Sequence, residues 1–161
     1  MTGITPCIWF DKQAEEAANF YLSIFPNSRI LKTARYTDVG PGPKGQVLTV
    51  SFELNGQEFL ALNGGPEFKP NEGLSLIIKC EDQAEVDRYW SKLSADPSAE
   101  QCGWLKDKYG VSWQVVPNLL LELVTDKDTE KADRVMRAML KMKKIDLEEL
   151  KRAAAGEHVR A

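Results

Sequence analysis

Residues 47–54 alternate, with Leu48, Val50, Phe52 and Leu54 on one side and Thr49, Ser51 and Glu53 on the other. That period of two is the signature of a half-buried strand. Asn55-Gly56 follows, the strongest short hairpin signal, and residues 57–63 return as its partner until Gly64-Gly65-Pro66 stops them. Upstream, the apolar, β-favouring residues 5–10 predict a first strand and Asp11 a helix cap. Ala14, Ala17, Ala18, Tyr21, Leu22 and Phe25 then recur at helical spacing, up to the break at Pro26-Asn27-Ser28. Residues 30–36 predict a further strand. Gly40-Pro41-Gly42-Pro43-Lys44-Gly45 is too rich in breakers to be anything but a loop.

The pattern then repeats. Asp11-Lys12-Gln13-Ala14-Glu15-Glu16 follows an apolar run, and Glu81-Asp82-Gln83-Ala84-Glu85-Val86 follows another one seventy residues later, with Phe20 matching Trp90 at the same offset. Residues 74–79 predict a strand, 82–93 a helix, and 103–106 and 112–116 two strands around a Tyr109-Gly110 turn. Between 94 and 101, where Pro97 and small polar residues dominate, one strand of the repeat is expected to be short or degraded. The expected architecture is α+β: two βαβββ modules, about 1–67 and 72–117, forming a cleft, followed by a helical extension over 118–161. In that extension, residues 129–144 carry Ala132, Val135, Met136, Met139, Leu140 and Met142 on one helical stripe, and Asp146 caps a last helix reaching 155. A methionine-rich stripe of this kind reads as a packing face, against the core or a second subunit.

Bulk properties narrow the function. The 161 residues are 43% apolar and carry a net charge of -3 with a pI near 5.3, which argues against nucleic acid as a partner. No apolar run is long enough for a membrane span. The start of the sequence lacks the basic and apolar regions of a signal peptide, so a cytoplasmic location is expected. Cys7, Cys80 and Cys102 form no CxxC pair and read as reduced thiols.

Three segments carry a family resemblance: Thr5-Pro6-Cys7-Ile8-Trp9-Phe10-Asp11, the stretch Asn55-Gly56-Gln57-Glu58-Phe59-Leu60-Ala61-Leu62-Asn63-Gly64-Gly65-Pro66, and Gly103-Trp104-Leu105-Lys106-Asp107-Lys108-Tyr109-Gly110-Val111-Ser112-Trp113-Gln114-Val115-Val116-Pro117. Together with the duplicated modules they resemble the PhnB-like branch of the vicinal oxygen chelate superfamily, often labelled 3-demethylubiquinone methyltransferase-like. Residues 134–146 also look like that branch. The resemblance implies paired sheets curled around a cleft, frequently in a homodimer, and in metal-using relatives an ion held by His or Glu on the first and last strands of each module. Here those strands offer Thr5 and Cys7, an apolar 59–62, Ser75, and Gln114 where the relatives carry Glu. The only histidine, His158, lies near the C-terminus. No metal and no cofactor are expected. Asn63-Gly64-Gly65-Pro66 follows a hairpin strand and leads into no helix, so it is no S-adenosylmethionine motif.

What remains is a cleft furnished with rings and amides. Trp9, Phe59, Phe68, Trp104 and Trp113 lie on or beside the strands, and Asn63 and Gln114 are candidate polar anchors. Trp113 points away from its neighbour Gln114 and is expected in the core. The candidate ligand-binding residues are Trp9, Asn63, Ser75, Trp104 and Gln114. No catalytic residue is identified. The leading reading is a metal-free small-molecule binding protein, forming a homodimer, with a flat or amphipathic ligand. A second is a lyase, isomerase or dioxygenase-like enzyme using an atypical metal site around Cys7, Ser75 and Gln114, or an acid-base pair among Glu53, Glu58, Lys106 and Asp107. For these charged residues the surface reading is favoured, and Asp107 is expected to fix the turn before Gly110. A third reading is a protein-interaction role for the helices of residues 129–155.

Overall fold

The computed structural model describes residues 3–157, so His158 lies outside the described residues. The chain divides into two compact units, one ending at Pro70 and the other beginning at Asn71. The first runs β1 (Cys7–Phe10), α1 (Ala14–Leu22), β2 (Arg29–Arg35), β3 (Val47–Leu54) and β4 (Gln57–Asn63), which is the expected βαβββ order. Its sheet is ordered β1-β4-β3-β2, with β1 parallel to β4 and the other pairs antiparallel. The alternation of β3 fixes which face meets the helix. Val50 pairs with Ala61 and Phe52 with Phe59, and all four are buried. Tyr21 of α1 stacks on Phe52 at 6.3 Å between ring centres, and Phe52 stacks on Phe59 at 5.5 Å. Ala14, Ala17 and Ala18 are wholly buried on the same helix. Burying a side chain such as Phe52 contributes roughly 2–3 kcal/mol.

The start of α1 departs from expectation. Asp11 does not cap it; Gln13 occupies the cap position with no side-chain bond. Instead the N–H of Ala14 donates to Oδ1 of Asn63, 2.8 Å away at the end of β4. Strand and helix ends meet there, so an amide from across the sheet satisfies a donor that a local carboxylate was expected to take.

The second unit runs β5 (Ser75–Cys80), α2 (Gln83–Leu93), β6 (Trp104–Lys106) and β7 (Ser112–Pro117), with sheet order β5-β7-β6. Asp82 caps α2, its side chain accepting from the N–H of Glu85. The counterpart of β2, expected directly after α2, does not form. In its place Asp96 caps a single 3-10 turn, Pro97–Ala99, and only one isolated bridge, Gln101 to Trp104, survives. Pro97 has no N–H to give a ladder, which accounts for the loss. Ile78, Cys80, Leu105, Trp113 and Val115 form the buried face with Val86, Tyr89 and Leu93 of α2. Asp107 fixes its turn as expected: Oδ1 accepts from the N–H groups of Tyr109 and Val111, and Oδ2 from Nε1 of Trp113 at 2.8 Å. It is also buried, 3% exposed, unlike the surface carboxylate its type implied.

Three helices follow: α3 (Asn118–Val124), which the sequence pattern did not single out, α4 (Thr129–Met139) and α5 (Leu147–Ala155). They pack onto the second unit. Val116 at the end of β7 joins Leu120, Leu123, Val135, Ile145 and Leu150 in one apolar cluster. Of the expected stripe, Val135 is wholly buried and Met139 and Met142 pack against the cluster, while Met136 and Leu140 are exposed. Helix α4 ends at Met139 instead of 144. Its continuation tightens to i→i−3 bonds at Lys141 and Met142, and the carbonyls of Met142 and Lys143 turn aside to accept the N–H groups of Cys102 and Gly103. Gly103 sits at φ +85°, and a Cβ there would lie 3.0 Å from the Val115 carbonyl and 3.2 Å from Ile145. No helix among the described residues is long and apolar enough to cross a membrane.

Candidate functional site

Each sheet has one face turned to its helix and one turned away, and the second face is where the expected residues are sorted. On the second sheet the register sets out two rows across the strands. Ser75 of β5 pairs with Ser112 of β7, which pairs with Lys106 of β6. One step along, Ile77 pairs with Gln114, which pairs with Trp104. Side chains two apart on a strand share a face, so all six lie on the face opposite Trp113 and Val115. Ser75, Trp104 and Gln114 are therefore brought together. Nε2 of Gln114 donates to Oγ of Ser75 at 2.9 Å. Ile77 is 56% exposed, while Trp104, Gln114 and Lys106 are half-buried.

The other two expected residues are part of the first unit and face opposite ways. Trp9 of β1 pairs with Leu62 on the open face, beside Thr49 of β3. Its Nε1 donates to the Gly65 carbonyl at 2.8 Å, and Phe68 meets its ring edge-on at 5.0 Å. Gly64 makes this possible, because a Cβ there would sit 2.2 Å from the Trp9 ring. Asn63 pairs with Phe10 and turns to the helix side, 9% exposed. Both ends of its amide are engaged, Oδ1 by Ala14 and Nδ2 with the Val47 carbonyl at 3.0 Å.

A hollow of about 750 Å³ adjoins Asn63 on the first unit, walled by Asp11, Arg35, Tyr36 and the loop of residues 41–46. Tyr36 anchors it by donating its hydroxyl to the Asn63 carbonyl at 2.7 Å. Two of its cations are engaged locally: Arg35 donates to the Gly45 carbonyl, and Lys44 pairs with Asp38. Sequence reasoning saw this loop only as a break. Its glycine-proline run gave no hint that it folds against a tyrosine ring.

The side chains do not fit a divalent ion of the kind the superfamily uses. No group of three or more His, Cys, Asp or Glu among the described residues could hold one. On the open faces, Gln114 already directs its N–H at Ser75, and Leu60 and Leu62 fill the β4 positions. Cys7 faces the same way as Trp9, and desolvation raises its thiol above its ordinary value, away from the thiolate a metal requires. S-adenosylmethionine fares no better. The first sheet has one parallel pair, and Gly64 and Gly65 lead from β4 into residues that form no helix. These glycines seat Trp9 instead of cradling a nucleotide.

Comparisons with known proteins identify the family and the fold. Residues 2–116 match the family model described as 3-demethylubiquinone-9 3-methyltransferase. The PhnB protein from Bacillus cereus is 38% identical over 72% of this chain and 99% of its own, with a TM-score of 0.61. Protein PA1353 from Pseudomonas aeruginosa, 19% identical over 73% of this chain and 98% of its own at a TM-score of 0.57, shares the fold. No protein of curated function matches the chain. The family match ends before α3, so the tail resemblance over residues 134–146 falls outside it.

Proposed function

The chain belongs to the 3-demethylubiquinone-9 3-methyltransferase family, in its PhnB-like branch of the vicinal oxygen chelate superfamily, and from that premise we propose that it binds a small flat or amphipathic molecule on the open face of its second sheet, without using a metal ion. The observation that carries this reading is the row Ile77–Gln114–Trp104 beside Ser75. An aliphatic chain and an indole flank an amide whose orientation is fixed by its bond to the Ser75 hydroxyl. Apolar walls with a few oriented polar groups are what small-molecule sites consist of. Methyl transfer has no support in the donor set, despite the family's name. The three terminal helices contribute packing to the second unit through Leu120, Val135 and Leu150.

Thermal-shift and intrinsic-fluorescence titrations against aromatic and amphipathic metabolites test the reading. A ligand is expected to raise the melting temperature and change tryptophan emission, and Trp104→Ala and Gln114→Ala are expected to weaken that response at least tenfold. A panel in which no compound shifts either signal overturns it.

A further inference from the structure

One polar group on that face has no role in the fold. Ser112 is 1% exposed, and its Oγ has no hydrogen-bond partner. A hydroxyl buried in this way costs about 1–3 kcal/mol unless something comes to bond it. Its row neighbours explain both the burial and the remedy. Lys106 stands on β6 and makes an ion pair with Glu72, three residues before β5 begins. Because β7 lies between β5 and β6, this pair links β6 to the segment leading into β5, and Ser112 lies on the strand between them. Glu72 is 63% exposed, and the Lys106 ammonium holds its carboxyl below the usual range. An exposed carboxylate of this kind is a replaceable partner.

The hydrogen-bond inventory of the row is one-sided. Ser75 Oγ accepts from Gln114, which leaves its own O–H to donate; the Ser112 hydroxyl is unengaged; Lys106 has only donors. Two hydroxyls and an ammonium in line want an anionic acceptor, and the adjacent row offers Trp104 and Ile77 to a ring. Resting on the binding function proposed above, we infer that the ligand is a small aromatic carboxylate: its carboxylate takes the place of Glu72 on Lys106 and accepts from Ser75 and Ser112, and its ring lies against Trp104 and Ile77.

Isothermal titration calorimetry with phenylacetate and its neutral isostere phenylacetamide tests the inference on the full chain. The acid is expected to bind at least tenfold more tightly than the amide. Lys106→Met is expected to remove that preference. Glu72→Gln, which weakens the resident competitor, is expected to tighten phenylacetate severalfold and leave phenylacetamide unchanged. Ser112→Ala is expected to weaken the acid severalfold without lowering the melting temperature, which a purely structural serine would not do. Equal binding of acid and amide, or an acid preference that survives Lys106→Met, overturns the carboxylate assignment while leaving the binding function standing. If neither probe binds and the broad metabolite panel is also silent, the binding function falls and takes this inference with it; if neither probe binds while neutral compounds in that panel do, only the carboxylate assignment falls.

Discussion

The two units begin from the same grammar and use their polar side chains in opposite ways. In the first, Asn63 ties the start of α1 to the start of β3, Tyr36 ties β2 to the end of β4, and Trp9 ties β1 to the loop after β4. In the second, Asp107 does comparable work for one turn, but in the row Ser75–Ser112–Lys106 the Ser112 hydroxyl has no partner in the fold. Among the described residues each unit keeps one buried orphan, and the two differ in kind: in the first it is an oxygen of Asp11, which can only accept while ionised, and in the second the Ser112 hydroxyl, which can donate. A buried group left unsatisfied calls for an explanation, and for Ser112 the proposed ligand supplies one.

The sharpest way to break this contrast is to remove one polar group from each unit. Asn63→Ala leaves the Ala14 N–H and the Val47 carbonyl without partners and is expected to destabilise by about 2–3 kcal/mol. Ser112→Ala removes an unpaired hydroxyl and is expected to leave stability unchanged or slightly higher. Urea unfolding followed by circular dichroism measures both, and equal losses would erase the distinction. Next in size is Gly64→Ala, whose methyl must push against the Trp9 ring. A loss of about 1–3 kcal/mol is expected, with tryptophan emission moving to the red as the ring is dislodged. Unchanged emission would show that the first unit yields more easily than its bonding implies.

A test confined to alkaline pH distinguishes the thiols. Desolvation on the buried face pushes Cys80 up to about 12 from an ordinary value of 9.0. The unfolded chain therefore loses this proton first as pH rises. The Cys80 contribution is intact below pH 9 and declines between 9 and about 12. Comparing urea midpoints across that range, Cys80→Ala is expected to flatten the decline and Cys7→Ser, at an exposed position, to leave most of it. The opposite order would place the more desolvated thiol in the first unit.

Much of the local structure was legible because its causes are local. The β3 alternation, the Asn55-Gly56 hairpin, the Asp146 cap and the Asp107 turn each depend on residues a few positions apart. The misses are non-local. Asn63 bonds a helix start 49 positions earlier in the chain, and it took over the role expected of Asp11. Helix α4 stops early because Cys102 and Gly103 draw the following carbonyls away. Ser75, Trp104 and Gln114 were each named from the sequence, yet Ser112 and Lys106 completed their rows only once the register of three strands was known. Ser112 itself looked like an ordinary strand residue.

The stitching of Cys102 and Gly103 to Met142 and Lys143 bears on how the chain can be handled. Trimming it to the family-matched length would strip the cover from Val116 and leave two backbone donors beside an outer strand facing water. Such a fragment would present a greasy margin next to an unzipped ribbon edge, the combination that drives chains to clump. Helices α3 to α5 thus keep that margin covered.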